Sequence, residues 1–180
     1  YDGRETAPAG ATPDMFLDAQ GQPLPFAEAV TSGRSTGVPG VMAMLGAAHQ
    51  QHGKLPWSDL FGDVARVADD GFAVPQRLAR FANSQYRQAT LPDARVLFGK
   101  PDGGTVQASE TLRNPAYAAT LRAIAARGPR ALLEPPLADE IIARTRAEPR
   151  PGTLAAADFA AYRPRVGEPL CRPYRIYVVC

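Results

Sequence analysis

Proline and glycine recur along the whole chain, 18 and 16 times in 180 residues. Proline removes a backbone donor and glycine loosens the backbone, so each interrupts regular structure. The chain must therefore fold as elements joined by many punctuated turns. Between the breakers, helical signals run in series. Thr12 is placed to cap a short helix, with Pro13 at its first position and Met15, Phe16 and Leu17 following. Residues 24–37 are expected to form a loop. Pro39 opens a helix through Val41, Met44, Leu45 and Ala48, which Gly53 stops. Ser58 caps the next, with Leu60, Phe61, Val64 and Val67 on one face and Gly71 at its end. Another starts near Pro75 and carries Leu78 and Phe81.

Residues 94–98 are expected to form a short strand, and KPDGG at 100–104 has turn chemistry. Asn114-Pro115 starts a helix with Tyr117, Leu121 and Ile124 at helical spacing and Gly128 as its stop. Leu137, Ile141 and Ile142 mark a further helix, and residues 155–162 a last short one. Residues 166–171 and 174–180 then read as two strands. The pattern is α+β: helices fill the middle and strands lie at the edges. A lone strand pair is marginal in water. The chain therefore reads as one segment, 1–180, of a larger protein that supplies the sheet partners.

At 45% hydrophobic and 21% charged residues the composition is globular, with length enough for one core. Lys+Arg is 20 and Asp+Glu is 18, a balance of +2 that argues against nucleic acid or an anionic membrane as partner. Lys54 and Lys100 are the only lysines, which reads as coding bias towards arginine. No apolar run approaches the roughly 18 residues of a membrane helix. No signal peptide is visible, and a chain starting at Tyr1 is expected to have lost its natural N-terminus. Cys171 and Cys180 allow a bridge across one hairpin, but the expectation is two free thiols.

Several motifs occur in a fixed order. YDGRETAP opens the chain and TPDMFLD follows at 12–18. GVPG stands at 37–40, HGKLPWSDLF at 52–61 and ARVADDGFAV at 65–74. ADEIIA lies at 138–143 and LAAADFAAYRP at 154–164. This series, over essentially all 180 residues, resembles the gamma-glutamyltransferase (gamma-glutamyltranspeptidase) family of N-terminal nucleophile hydrolases. Two stretches depart from the family pattern. Leu132, Leu133 and Glu134 replace its Phe-Tyr-x-Gly step, and the loop EPRPGT at 148–153 has one glycine where two are common. Both bear on substrate preference more than on fold.

The resemblance implies a four-layer αββα sandwich, of which this chain would be a mostly helical large-subunit segment with edge strands. The N-terminal part and the small catalytic subunit would lie outside it. It implies a precursor that cuts itself to expose a threonine, which serves as nucleophile through its own amine. No threonine here stands in that context, so the segment alone should be inactive. The implied reaction passes the gamma-glutamyl group of glutathione, or a related compound, to water or an amino acid. No cofactor is implied, and the location implied is periplasmic or secreted. Within the family the alternative is a cephalosporin (glutaryl) acylase; outside it, a non-catalytic scaffold domain.

Arg4 matches the family arginine that binds the substrate α-carboxylate. The chemistry suits it, because a planar guanidinium grips a carboxylate with two parallel hydrogen bonds where lysine gives only a point charge. Glu5 is a candidate partner to orient Arg4, although neighbours on a strand point to opposite faces. Asp2 and Thr6 share the parity of Arg4 and are candidates to line the same pocket. His49 and His52 could share a helix face, but no third ligand of matching placement accompanies them, so no metal site is expected. Arg144, Arg146 and Arg150 are expected on a solvated face, and Trp57, Phe61 and Phe72 in the core. Residues 158–162 are expected to pack a helix onto the sheet.

Overall fold

The computed structural model describes residues 1–84 and 86–180. It is helix-rich, with few and short strands. In chain order the helices are α1 (Phe26–Ala29), α2 (Val41–His52), α3 (Gly62–Asp70), α4 (Gln76–Ala82), α5 (Arg87–Thr90), α6 (Pro92–Phe98), α7 (Pro115–Arg127), α8 (Leu137–Thr145) and α9 (Ala156–Ala161). Single 3-10 turns occupy Gly33–Ser35, Trp57–Leu60 and Ala131–Leu133. Strands β1 (Phe72–Ala73) and β2 (Thr111–Leu112) pair antiparallel, as do β3 (Arg172–Tyr174) and β4 (Tyr177–Val179).

The breakers act where the sequence puts them. Gly53 follows α2, and Gly71 and Gly128 end α3 and α7 with φ of 96° and 89°, which a side chain would resist. Asn114 caps α7 by accepting the Tyr117 amide at 2.9 Å, with Pro115 at the first position. The KPDGG turn closes as expected, the Lys100 amide donating to the Gly104 carbonyl at 2.9 Å.

Other expectations fail for physical reasons. Thr12 starts no helix. Successive turns there lead to a bridge between Leu17 and Pro23. The expected loop at 24–37 contains α1 and a 3-10 turn. The expected strand at 94–98 is α6, because Pro92 fits the first helical position and Asp93 the first turn. The stretch 166–171 forms no strand, since the hairpin begins at Arg172. Ser58 caps nothing, and α3 starts after Phe61.

Three apolar clusters hold the chain. The first joins Val38, Ala43, Leu133, Ala138, Leu154, Phe159 and Tyr162, with Ile141 and Ile142 against it. The second gathers Val74, Ala79, Ala82, Val106 and Leu112, with Phe72 packed on it. In the third, α3 and α7 meet through Ala65, Ala68, Ala118 and Leu121, with Phe61 at the margin. Val64 and Val67, read as part of one apolar helix face, are exposed, and so is Phe81. Alanine lets two helices approach closely, so the small residues take the buried side. Polar contacts fix this pair lengthwise. The Trp57 indole donates to the Ile124 carbonyl at 3.1 Å, and the Asn114 amide to the Ala68 carbonyl at 2.7 Å. Arg122 pairs with Asp69.

Of the arginines expected on a solvated face, Arg144 and Arg146 are exposed and Arg150 is half-buried, and each also cross-links the chain. Arg144 pairs with Asp93 and Arg150 with Glu28, while Arg146 donates to the Leu154 carbonyl at 3.0 Å. Beside them two backbones cross at glycines. A Cβ on Gly33 would lie 1.7 Å from the Thr145 carbonyl oxygen, and one on Gly152 2.3 Å from that of Gly33.

Cys171 and Cys180 are joined by a disulfide that continues the β3–β4 register one pair outward, correcting the expectation of free thiols. Trypsin cuts after Arg165 and Arg175 but not at Arg172, which precedes proline. A non-reducing digest should therefore show the 166–175 peptide linked to the peptide that begins at Ile176, and reduction should release both. Two separate peptides before reduction would disprove the bridge.

Candidate functional site

Arg4 sits on an extended segment that belongs to no sheet. Asp2 bridges Arg165 antiparallel, the two residues exchanging backbone hydrogen bonds of 2.8 and 2.9 Å. Two residues beyond Arg4, Thr6 bridges Val38, whose amide donates to the Thr6 carbonyl at 2.9 Å. Arg4 thus lies between two anchored points. Further along, the Ala9 amide donates to the Asp158 carboxylate at 2.9 Å, and the same carboxylate accepts the Ala155 amide at the start of α9.

Both backbone groups of Arg4 are taken by side chains. Its amide donates to Asp2 Oδ1 at 2.9 Å. Its carbonyl accepts the Tyr162 hydroxyl at 3.0 Å. Tyr162 is buried at the end of α9. Burial, with the negative charge of Asp2 adding to it, pushes the phenol above its ordinary value, so the hydroxyl keeps its proton and stays a donor. Residues 158–162 therefore hold the Arg4 strand, where packing against a sheet was expected.

The Arg4 side chain is 81% exposed. Its Nε lies 3.6 Å from Glu5 Oε1, an open ion pair between two solvated groups. Such a pair contributes at most about 1 kcal/mol, so Glu5 restrains the guanidinium only weakly. The two neighbours do approach each other, against the expectation from strand parity. The Asp2 carboxylate faces the Arg4 amide. Thr6 serves through its backbone. Glu5, with Met15, Phe16, Arg34 and Gly37, borders a recess of about 290 Å³ on the flank of the strand.

The two histidines act locally. His49 Nε2 meets the Leu55 carbonyl at 2.9 Å and its ring lies edge-on to Trp57. His52 Nε2 contacts the Tyr1 hydroxyl at 2.8 Å. Trp57 is only half-buried, as are Phe61 and Phe72. The contact of Tyr162 with Arg4 spans 158 positions, and no local pattern announces it.

A family model described as gamma-glutamyltranspeptidase matches residues 1–180. The chain belongs to the gamma-glutamyltranspeptidase family. It is 34% identical over 174 residues to a glutathione hydrolase proenzyme of Pseudomonas aeruginosa, covering 94% of this chain and 29% of that protein. Among solved structures, the gamma-glutamyltranspeptidase of Helicobacter pylori matches with a TM-score of 0.88 at 27% identity, covering 99% of this chain and 50% of that one. That of Pseudomonas nitroreducens, complexed with L-DON, matches with a TM-score of 0.79 at 31% identity, covering 99% and 51%. The chain thus spans under a third of that curated relative and about half of those solved chains. The α+β arrangement described above is part of the gamma-glutamyltranspeptidase fold.

Gly40 is what lets Tyr162 reach Arg4. A Cβ there would lie 1.8 Å from the Tyr162 hydroxyl oxygen and 2.5 Å from the Gly3 carbonyl oxygen. Gly40→Ala should push the phenol off the strand and cost about 1–3 kcal/mol of stability. Gly62→Ala is the control, since nothing lies within 4 Å of its added methyl. It should be neutral or slightly stabilising at a helix start. Denaturant midpoints of the intact protein would test both, and equal midpoints would contradict the close packing at Gly40.

Proposed function

We propose that this chain forms part of the large subunit of a gamma-glutamyltransferase, or glutathione hydrolase, in which Arg4 binds the substrate α-carboxylate. The observation that carries the reading is the contrast at Arg4. Its backbone is bound at both polar groups, while its guanidinium is solvated and only loosely paired. A solvated arginine is ordinary on a protein surface, so the distinctive feature is the backbone held at both polar groups. An arginine held this way presents its planar donors outward to an incoming carboxylate. Glu5 would steady the guanidinium until the substrate displaces it.

The chemistry is acyl transfer. The threonine hydroxyl at the head of the second subunit attacks the gamma-carbonyl, and the threonine amine takes the hydroxyl proton. The amine side of the substrate leaves, and a gamma-glutamyl ester remains on the enzyme. Water or the amine of an amino acid then attacks that ester and frees the threonine. Arg4 contributes by fixing one end of the glutamyl group, so that the gamma-carbonyl arrives at the nucleophile in one orientation. This chain holds the carboxylate-binding arginine and not the nucleophile, so it requires the second subunit for turnover. A periplasmic or secreted location accords with the Cys171–Cys180 bridge, because disulfides persist in oxidising compartments.

The experiment is on the full-length precursor. Mass spectrometry should find self-cleavage into two chains with a new N-terminal threonine, and the mature protein should release chromophore from a gamma-glutamyl anilide. Cleavage without release would favour an acylase acting on glutaryl side chains, and no cleavage a non-catalytic scaffold. In the mature enzyme, Arg4→Lys should raise KM for the anilide tens-fold, about 2 kcal/mol for a charge-assisted bond lost. An unchanged KM would remove Arg4 from the binding site.

A further inference from the structure

We infer that Tyr162 is a positioning residue for substrate binding, aiming the Arg4 guanidinium through its hydrogen bond to the Arg4 carbonyl. This rests on the reading of Arg4 as the carboxylate-binding residue.

The argument starts from how an exposed arginine can be aimed at all. Its side chain has four rotatable bonds, and at 81% exposure only the open pair with Glu5 restrains it. Direction must then come from the root of the side chain. The Cα–Cβ bond is fixed only if the backbone torsions on both sides of Cα are fixed. In a sheet, ladder hydrogen bonds do this; among the described residues the bridges of this segment fall at Asp2 and Thr6, on either side of Arg4. Two side chains replace the ladder. Asp2 holds the amide, and Tyr162 holds the carbonyl.

The two holds differ in rigidity. Asp2 is exposed and holds the Arg4 amide from within the same segment, through its own side chain. Tyr162 is buried in the cluster of Val38, Leu154 and Phe159, and it ties Arg4 to the body of the fold. The site around its hydroxyl is closely fitted. Gly40 leaves the space that the phenol fills, and Gly3, next to Arg4, packs so tightly on α2 that a Cβ would meet Met44 Cβ at 2.4 Å. A phenylalanine would fill the same space and leave the carbonyl of Arg4 unbound. The phenol is therefore used for its donor, and the donor acts on the residue that meets the substrate.

The test uses four forms of the mature, intact enzyme: wild type, Tyr162→Phe, Arg4→Lys and the double variant, assayed on L-gamma-glutamyl-p-nitroanilide. Tyr162→Phe should raise KM about three- to tenfold, the worth of one neutral hydrogen bond, with kcat nearly unchanged. The double variant should show less than the product of the two single effects, because both act through one guanidinium. Replacing Tyr162 by p-aminophenylalanine restores an N–H donor at the same place and should return KM to about the wild-type value. A merely structural aromatic ring would not make KM follow the donor.

A wild-type KM in Tyr162→Phe together with a raised KM in Arg4→Lys would overturn the positioning role and leave Arg4 as the binding residue. A wild-type KM in Arg4→Lys would overturn the Arg4 reading, and the positioning role with it. Fully multiplicative effects, or a loss confined to kcat, would also overturn the positioning role. If the phenylalanine variant does not fold, the p-aminophenylalanine form decides: a raised KM despite the donor overturns the proposal, and a wild-type KM supports it.

Discussion

The segment that carries Arg4 is an extended strand without a sheet, and the rest of the arrangement depends on how it is held. Two backbone bridges fasten it, one to Arg165 and one to Val38. A carboxylate at the start of α9 and a phenol at its end complete the attachment. Val38 and Tyr162 belong to the first apolar cluster, in which Phe159, Leu154 and Val38 are the most deeply buried large side chains. Burying them seats α9 in the cluster, and α9 presents the carboxylate and the phenol that the strand needs. The hydrophobic term therefore fixes where the charge sits, though it never touches the charge itself.

Much of the fold was legible, for reasons that are local. Glycines after α2, α3 and α7 end helices because a residue there needs freedom that other residues lack, or must tolerate close backbone approach. Asn114 and Pro115 start α7 by filling one orphaned donor, that of Tyr117, and removing another. Reading failed where a short apolar stretch fits two periods. Residues 94–98 alternate well enough for a strand, and only Pro92 and Asp93 upstream decide for a helix. It failed again on which face is buried. Val64 and Val67 are the more hydrophobic residues of α3, yet alanines make the contact, because proximity to α7 matters more there than side-chain size.

The candidate site was legible only in part. Arg4 stands out through the ordered motifs around it, and its exposure suits the role that resemblance gives it. Its supports do not stand out. Asp158 and Tyr162 look like an ordinary short helix with an aromatic end, and their use depends on a chain reversal that brings positions 158 apart into contact. The partners of the arginines were missed for the same reason. Arg144 and Arg150 have partners at Asp93 and Glu28, and no spacing rule reaches that far.

The α3–α7 pair carries a different kind of information. Helices that interlock through large side chains set their own register, since each knob fits one hole. Alanines give a smooth contact along which two rods could slip with little resistance. The lengthwise setting of this pair is therefore stored in its polar contacts, the indole of Trp57, the amide of Asn114 and the ion pair of Arg122 with Asp69. In such a joint the apolar face supplies the grip and the polar pins supply the alignment. Removing a pin would leave a helix pair still bonded but free to slide, an error of position and not of strength.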